Sequence, residues 1–119
     1  MTSAIIVNLI TNRKENLFKD YDLEEVISLS KTLNICCKHT ENIKLNRFSS
    51  STLINKGNLL RYKDIIDLNN IDLFIVNHSL TPSQQKNLEN RLKTKVIDRT
   101  ALIIEIFEIL IIFKWNFIL

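Results

Sequence analysis

The chain has 119 residues, 45% of them hydrophobic and 24% charged, with a formal net charge of +3. That balance excludes wholesale disorder and leaves room for one domain, whose core needs neither disulfides nor a metal. A mildly positive charge suits RNA or an acidic surface and requires neither.

In chain order, Ala4–Leu9 is a β-branched run that predicts a buried strand. Thr11–Lys19 reads as a polar loop. Asp22 and Glu25 form a capping-box pattern, and Leu23, Val26, Ile27, Ser30 and Leu33 follow at helical spacing. Ile35–Lys38 predicts a second strand, Thr40–Thr52 a long polar loop, and Leu53–Asn55 a short strand at its end. Gly57, the single glycine, predicts a turn or a close helix approach. A helix over Asn58–Leu68 turns Leu59, Tyr62, Ile65 and Ile66 inward, and Asn69 and Asn70 stop it.

Ile71–Asn77 is the clearest strand, apolar without alternation over Leu73–Val76 as when helices cover both faces of a sheet. Thr81 caps the next helix, with Pro82 at its first position and Gln84 completing a capping box. That helix runs to about Leu92. Lys95–Ile97 predicts a further strand, and Asp98 caps a last helix from Arg99. The alternation predicts an α/β fold: a small, mostly parallel sheet flanked by helices, with right-handed crossovers and a hydrophobic C-terminal helical tail.

Isoleucine, leucine, asparagine and lysine dominate, residues of A- and T-rich codons, while glycine and proline occur once each. This bias blunts every propensity argument. The most apolar stretch is 101–119. Glu105, Glu108 and Lys114 interrupt it, which weighs against a membrane span. Leu102, Ile103, Ile106 and Phe107 are expected to face the sheet. Beyond Phe107 no helical face is evident, so the chain divides into a domain over 1–107 and an atypical tail over 108–119, as an out-of-frame reading would produce.

Two stretches carry a family resemblance. Leu80-Thr81-Pro82-Ser83-Gln84-Gln85-Lys86-Asn87-Leu88-Glu89 resembles the LSPSQQRNLE signature of the N-terminal domain of HflX-type GTPases. Val96-Ile97-Asp98-Arg99-Thr100, then Leu102-Ile103 and Ile106-Phe107, resembles that family's VIDRT-LIL-IF segment, in the right order and spacing. Ile54-Asn55-Lys56-Gly57-Asn58 looks like a worn form of its IGKGK turn, with asparagines where glycine and lysine are usual. The resemblance implies binding to the large ribosomal subunit, and a GTPase domain that drives ribosome splitting or rescue. GTP and magnesium belong to that other domain. No G-x-x-x-x-G-K-[ST] occurs here, so none of the family's GTP-binding residues carries over and no cofactor or catalytic residue is expected within this chain. A separate chain carrying the GTPase domain is a further expected partner.

For ribosomal RNA, the candidate contacts are Lys38, Lys44, Arg47, Lys56, Arg61 and Lys63, six basic residues in a span whose one acid is Glu41. Such charge draws the phosphate backbone, and Phe48 and Tyr62 are placed to stack on bases. The plain alternative is a solvated face. Gly57, Thr81, Pro82 and Asp98 read as turn and caps, and Asp98 with Arg99 as a cap with a local ion pair. Cys36 and Cys37 are adjacent and unsuited to pairing with each other. They read as core-edge residues in a reducing, cytoplasmic setting. His39 and His78 lack metal-ligand spacing, so no metal is expected. Two other classes remain open: a small-ligand (nucleotide) module using the Gly57 turn and the strand ends near Asn77 and Asp98, and a membrane-tethered protein.

Overall fold

The computed structural model describes residues 2–10, 19–44 and 51–118. Four strands and four helices alternate: β1 (Thr2–Ile10), α1 (Lys19–Thr32), β2 (Ile35–Lys44), α2 (Lys56–Asn69), β3 (Leu73–Asn77), α3 (Pro82–Leu92), β4 (Lys95–Asp98) and α4 (Arg99–Ile118). The strands form one sheet in the order β2-β1-β3-β4, every neighbouring pair parallel. Parallel strands need crossovers, and the helices supply them.

Alternation along the strands divides the core into two layers. On one face Ile5, Val7, Phe74, Val76 and Val96 pack against Leu59, Tyr62 and Ile66 of α2 and Leu88 and Leu92 of α3. On the other, Ala4, Ile6, Leu73, Ile75 and Ile97 meet Val26 of α1 and Leu102 of α4. Ala4 to Leu9 are all buried, so the central strand β1 is covered on both faces.

Several expectations are corrected. Residues 40–44 belong to β2, not to a loop. Their polar character is that of an edge strand, whose open side faces water. Leu53–Asn55 is not a strand: Leu53 takes a left-handed φ of 63°, and the Thr52 hydroxyl donates to the Ile54 carbonyl at 2.9 Å, closing a turn that buries Ile54. Gly57 is no turn residue. It sits in the first turn of α2 without positive φ, and a Cβ there would meet Asn55 Oδ1 at an ordinary 3.6 Å. The turn's work falls to Asn55, which caps α2 by accepting from the Asn58 amide at 2.8 Å. α1 opens at Lys19, so Asp22 lies inside the helix rather than at its cap. Phe107 was expected inward and is 59% exposed, while Leu102 is fully buried. The predicted loop at 11–19 lies outside the described residues up to 18.

α4 continues past Phe107 to Ile118, leaving Ile104, Ile109, Ile111 and Ile112 exposed. No helix among the described residues is long and apolar enough to cross a membrane.

Candidate functional site

The carboxyl ends of β1 and β3 meet at the point where the chain leaves the sheet in two directions. β1 leads through α1 to β2 on one side, and β3 leads through α3 to β4 on the other, with α1 and α3 on opposite faces. Such switch points open crevices in parallel α/β sheets. Here a cleft of about 280 Å³ lies between Asn8 of β1, Asn77 of β3, His78, Ser79, and Arg99 and Thr100 at the start of α4.

A chain of side-chain hydrogen bonds runs across its floor. Arg99 Nη1 donates to Asn77 Oδ1 at 3.3 Å, Asn77 Nδ2 to Asn8 Oδ1 at 2.8 Å, and Asn8 Nδ2 to Asn42 Oδ1 at 2.8 Å. Arg99 Nη2 donates to Glu25 Oε1 of α1 at 2.7 Å. Three strands and two helices are thereby tied by one polar line, with Asn8 buried at its centre. A buried amide is tolerable only when satisfied, and the ladder satisfies it. Sequence reasoning missed Asn8, Asn42 and Glu25. One signal was present: Ile-Val-Asn occurs at 6–8 and again at 75–77, and the structure pairs Ile6 with Ile75, Val7 with Val76 and Asn8 with Asn77.

Asp98 caps α4, accepting from the Ala101 amide at 2.9 Å and the Leu80 amide at 3.1 Å. Its expected ion pair with Arg99 is corrected: Arg99 turns to Glu25. Thr81 and Gln84 form a reciprocal capping box with Pro82 in the first turn of α3.

The basic residues separate. Lys38, Lys44 and Lys56 are exposed, and none of the three forms an ion pair among the described residues. Lys44 ends β2 and Lys56 begins α2, so both lie toward the carboxyl end of the sheet; Lys38 marks the bulge where the β1–β2 register shifts. Arg61 is not free: it grips Glu41, with Nη1 on Oε1 at 2.7 Å. Lys63 pairs with Asp67 at 2.6 Å, one turn along the helix. Arg47 and Phe48 lie outside the described residues. Tyr62 cannot stack on a base as expected, because it is fully buried against Phe74 with ring centroids 5.4 Å apart.

Glu41 gathers Arg61, the Tyr62 hydroxyl and His39 around one carboxylate. The Arg61 hydrogen bonds, against the opposing effect of burial and helped by the Tyr62 hydroxyl, hold its carboxyl at about 2. Burial, then the Glu41 contact, pushes the Tyr62 hydroxyl well above the ordinary phenol range. This cluster fastens the edge strand to α2 and leaves no free base or nucleophile. Burial raises the Cys37 thiol, so the thiolate that reactivity requires is suppressed. No group of three His, Cys, Asp or Glu able to hold a metal occurs among the described residues.

Residues 20–108 match the family model described as GTP-binding GTPase N-terminal. The chain belongs to the HflX family, in the N-terminal region of its GTPases. It is 40% identical over 85 residues to the GTPase HflX of Magnetococcus marinus, covering 71% of this chain and 20% of the relative. It is 37% identical over 107 residues to the GTPase HflX of Chlamydia pneumoniae, covering 89% of this chain and 23% of the relative. The chain thus spans between a fifth and a quarter of these HflX proteins. In fold it is similar to a GTP-binding protein from Sulfolobus solfataricus solved with GDP, at a TM-score of 0.62 and 23% identity, over 90% of this chain and 30% of that one.

Proposed function

We propose that these residues are the ribosome-docking platform of an HflX-type GTPase, acting in the cytoplasm on ribosomal RNA of the large subunit. GTP and magnesium binding then belong to the part of the relatives that this chain does not span, the same part that is its functional partner. The observation that carries the reading is the family match joined to Lys38, Lys44 and Lys56, exposed cations without carboxylate partners among the described residues. Unpaired lysines are the kind that release counterions from a phosphate backbone; Arg61 and Lys63, already paired, contribute less.

The absence of catalysis within these residues rests on chemistry. A triphosphate is held by a glycine-rich loop whose amides and lysine surround it, and the chain has one glycine, placed in a helix.

The test is pelleting of the purified chain with isolated ribosomal subunits, beside calorimetry with GTP and magnesium. The reading predicts that the chain sediments with large subunits and not with small ones, and that GTP evolves no binding heat. Equal pelleting with both subunits, or with neither, contradicts it.

A further inference from the structure

We propose that the cleft at the carboxyl ends of β1 and β3 binds a small oxyanion, a phosphate or carboxylate carried on a compact organic body, with Arg99 as its principal contact. Three observations converge. The cleft stands at the topological switch point between β1 and β3, where parallel sheets place ligands. Its polar lining includes groups that can donate to an anion, the Ser79 and Thr100 hydroxyls and the Arg99 guanidinium, beside Asn8, Asn77 and His78, and no carboxylate lies among the described residues that line it. At about 280 Å³ it holds the volume of roughly nine waters at ~30 Å³ each, more than a bare phosphate needs.

Arg99 is built for an exchange of partners. One arm of its guanidinium is fixed by Asn77, itself locked in the amide ladder. The other arm holds Glu25, whose side chain is 41% exposed. An ion pair this open to solvent is weak, and a ligand carboxylate or phosphate can replace Glu25 in the planar fork while Asn77 keeps the guanidinium in place. None of the lysines that carry the ribosome-docking reading is among the residues that line the cleft.

The test is an amide-resolved NMR titration of the folded chain with inorganic phosphate, succinate and a uridine hexanucleotide. Saturable shifts at Asn8, Asn77, Ser79 and Thr100 with phosphate or succinate, at a dissociation constant on the order of 1 mM, are the expected result. Arg99→Gln should weaken binding about tenfold. Glu25→Gln, which removes the competing carboxylate, should tighten it, an outcome that a merely structural role for Arg99 does not produce. The proposal is overturned by shifts that stay linear to ~50 mM, beyond the affinity a charged fork provides. It is equally overturned by unchanged or weaker affinity in Glu25→Gln, or by response to the hexanucleotide alone, which would assign the cleft to RNA. Subunit pelleting of Arg99→Gln, expected unchanged, separates failure here from failure of the docking reading.

Discussion

Glu41 projects from an edge strand, yet its carboxylate is ringed by Arg61, Tyr62 and His39. Its folded pKa of about 2 lies below the ordinary 4.5, so the stability it contributes is fully present above about 4.5 and is lost as pH falls toward 2. Glu41→Gln should cost about 1–2 kcal/mol at neutral pH by weakening a charge-assisted bond to Arg61 and leaving the Tyr62 hydroxyl poorly matched. It should also flatten the acid limb of the stability curve; urea titrations at pH 7 and pH 3 check both effects, and an unchanged difference between the two pH values would count against the cluster. None of this pairing was legible in the sequence, because Arg61 lies 20 residues from Glu41 and nothing local links them. Counting charges treated Arg61 as available when it is engaged. The asparagine ladder was half-legible: the repeated Ile-Val-Asn was on view, but only the parallel register shows that the two asparagines meet.

An explicit start signal was readable at α3 and misleading at α1, where Asp22 and Glu25 lie inside the helix. Thr81-Pro82-Ser83-Gln84 predicts its capping box from side-chain chemistry alone, and the structure forms it. Thr81→Ala should cost about 1 kcal/mol, read as a fall in the thermal midpoint. Asn55→Ala should cost a similar amount, since Asn55 rather than Gly57 shapes the start of α2. What misled was the scarcity of glycine. Left-handed backbone occurs at Asn34, Leu53, Asn70 and Lys93, positions that glycine commonly takes in other chains. With no glycine at position 53 the turn there carried no signal and Leu53–Asn55 read as a strand, whereas the end of α3 at Leu92 was read where the structure has it. Lys93→Gly, at a φ of 55°, should stabilise the fold by about 1 kcal/mol by relieving Cβ strain; an unchanged or lower midpoint of unfolding in denaturant would refute that account. β2 was read too short for a different reason. An edge strand need bury little, so Thr40, Glu41 and Asn42 look like loop while pairing with β1 throughout.

At the scale of the molecule, the parallel α/β sheet followed from the alternation of strand and helix patterns and the two-layered core from the unbroken apolar strands, whereas the order β2-β1-β3-β4 is visible only in the structure. The outward face of α4 did not follow: Ile104, Phe107 and Ile111 lie on the side away from the sheet. Changing Phe107 and Ile111 to Ser should lower the unfolding free energy far less than Leu102→Ser would, while reducing self-association, measurable by light scattering, because those side chains are more than half exposed and Leu102 is fully buried. The functional claim is a separate matter of surface charge. Its most direct measurement is the affinity of the chain for large ribosomal subunits as a function of salt, compared between the unaltered protein and a variant with Lys38, Lys44 and Lys56 all changed to Glu. Three phosphate contacts predict a log–log slope of about −2 to −3 that the charge-reversed variant loses along with most of its affinity. A salt-independent affinity, or a folded variant that binds as well as the original, would contradict the docking surface assigned to this domain.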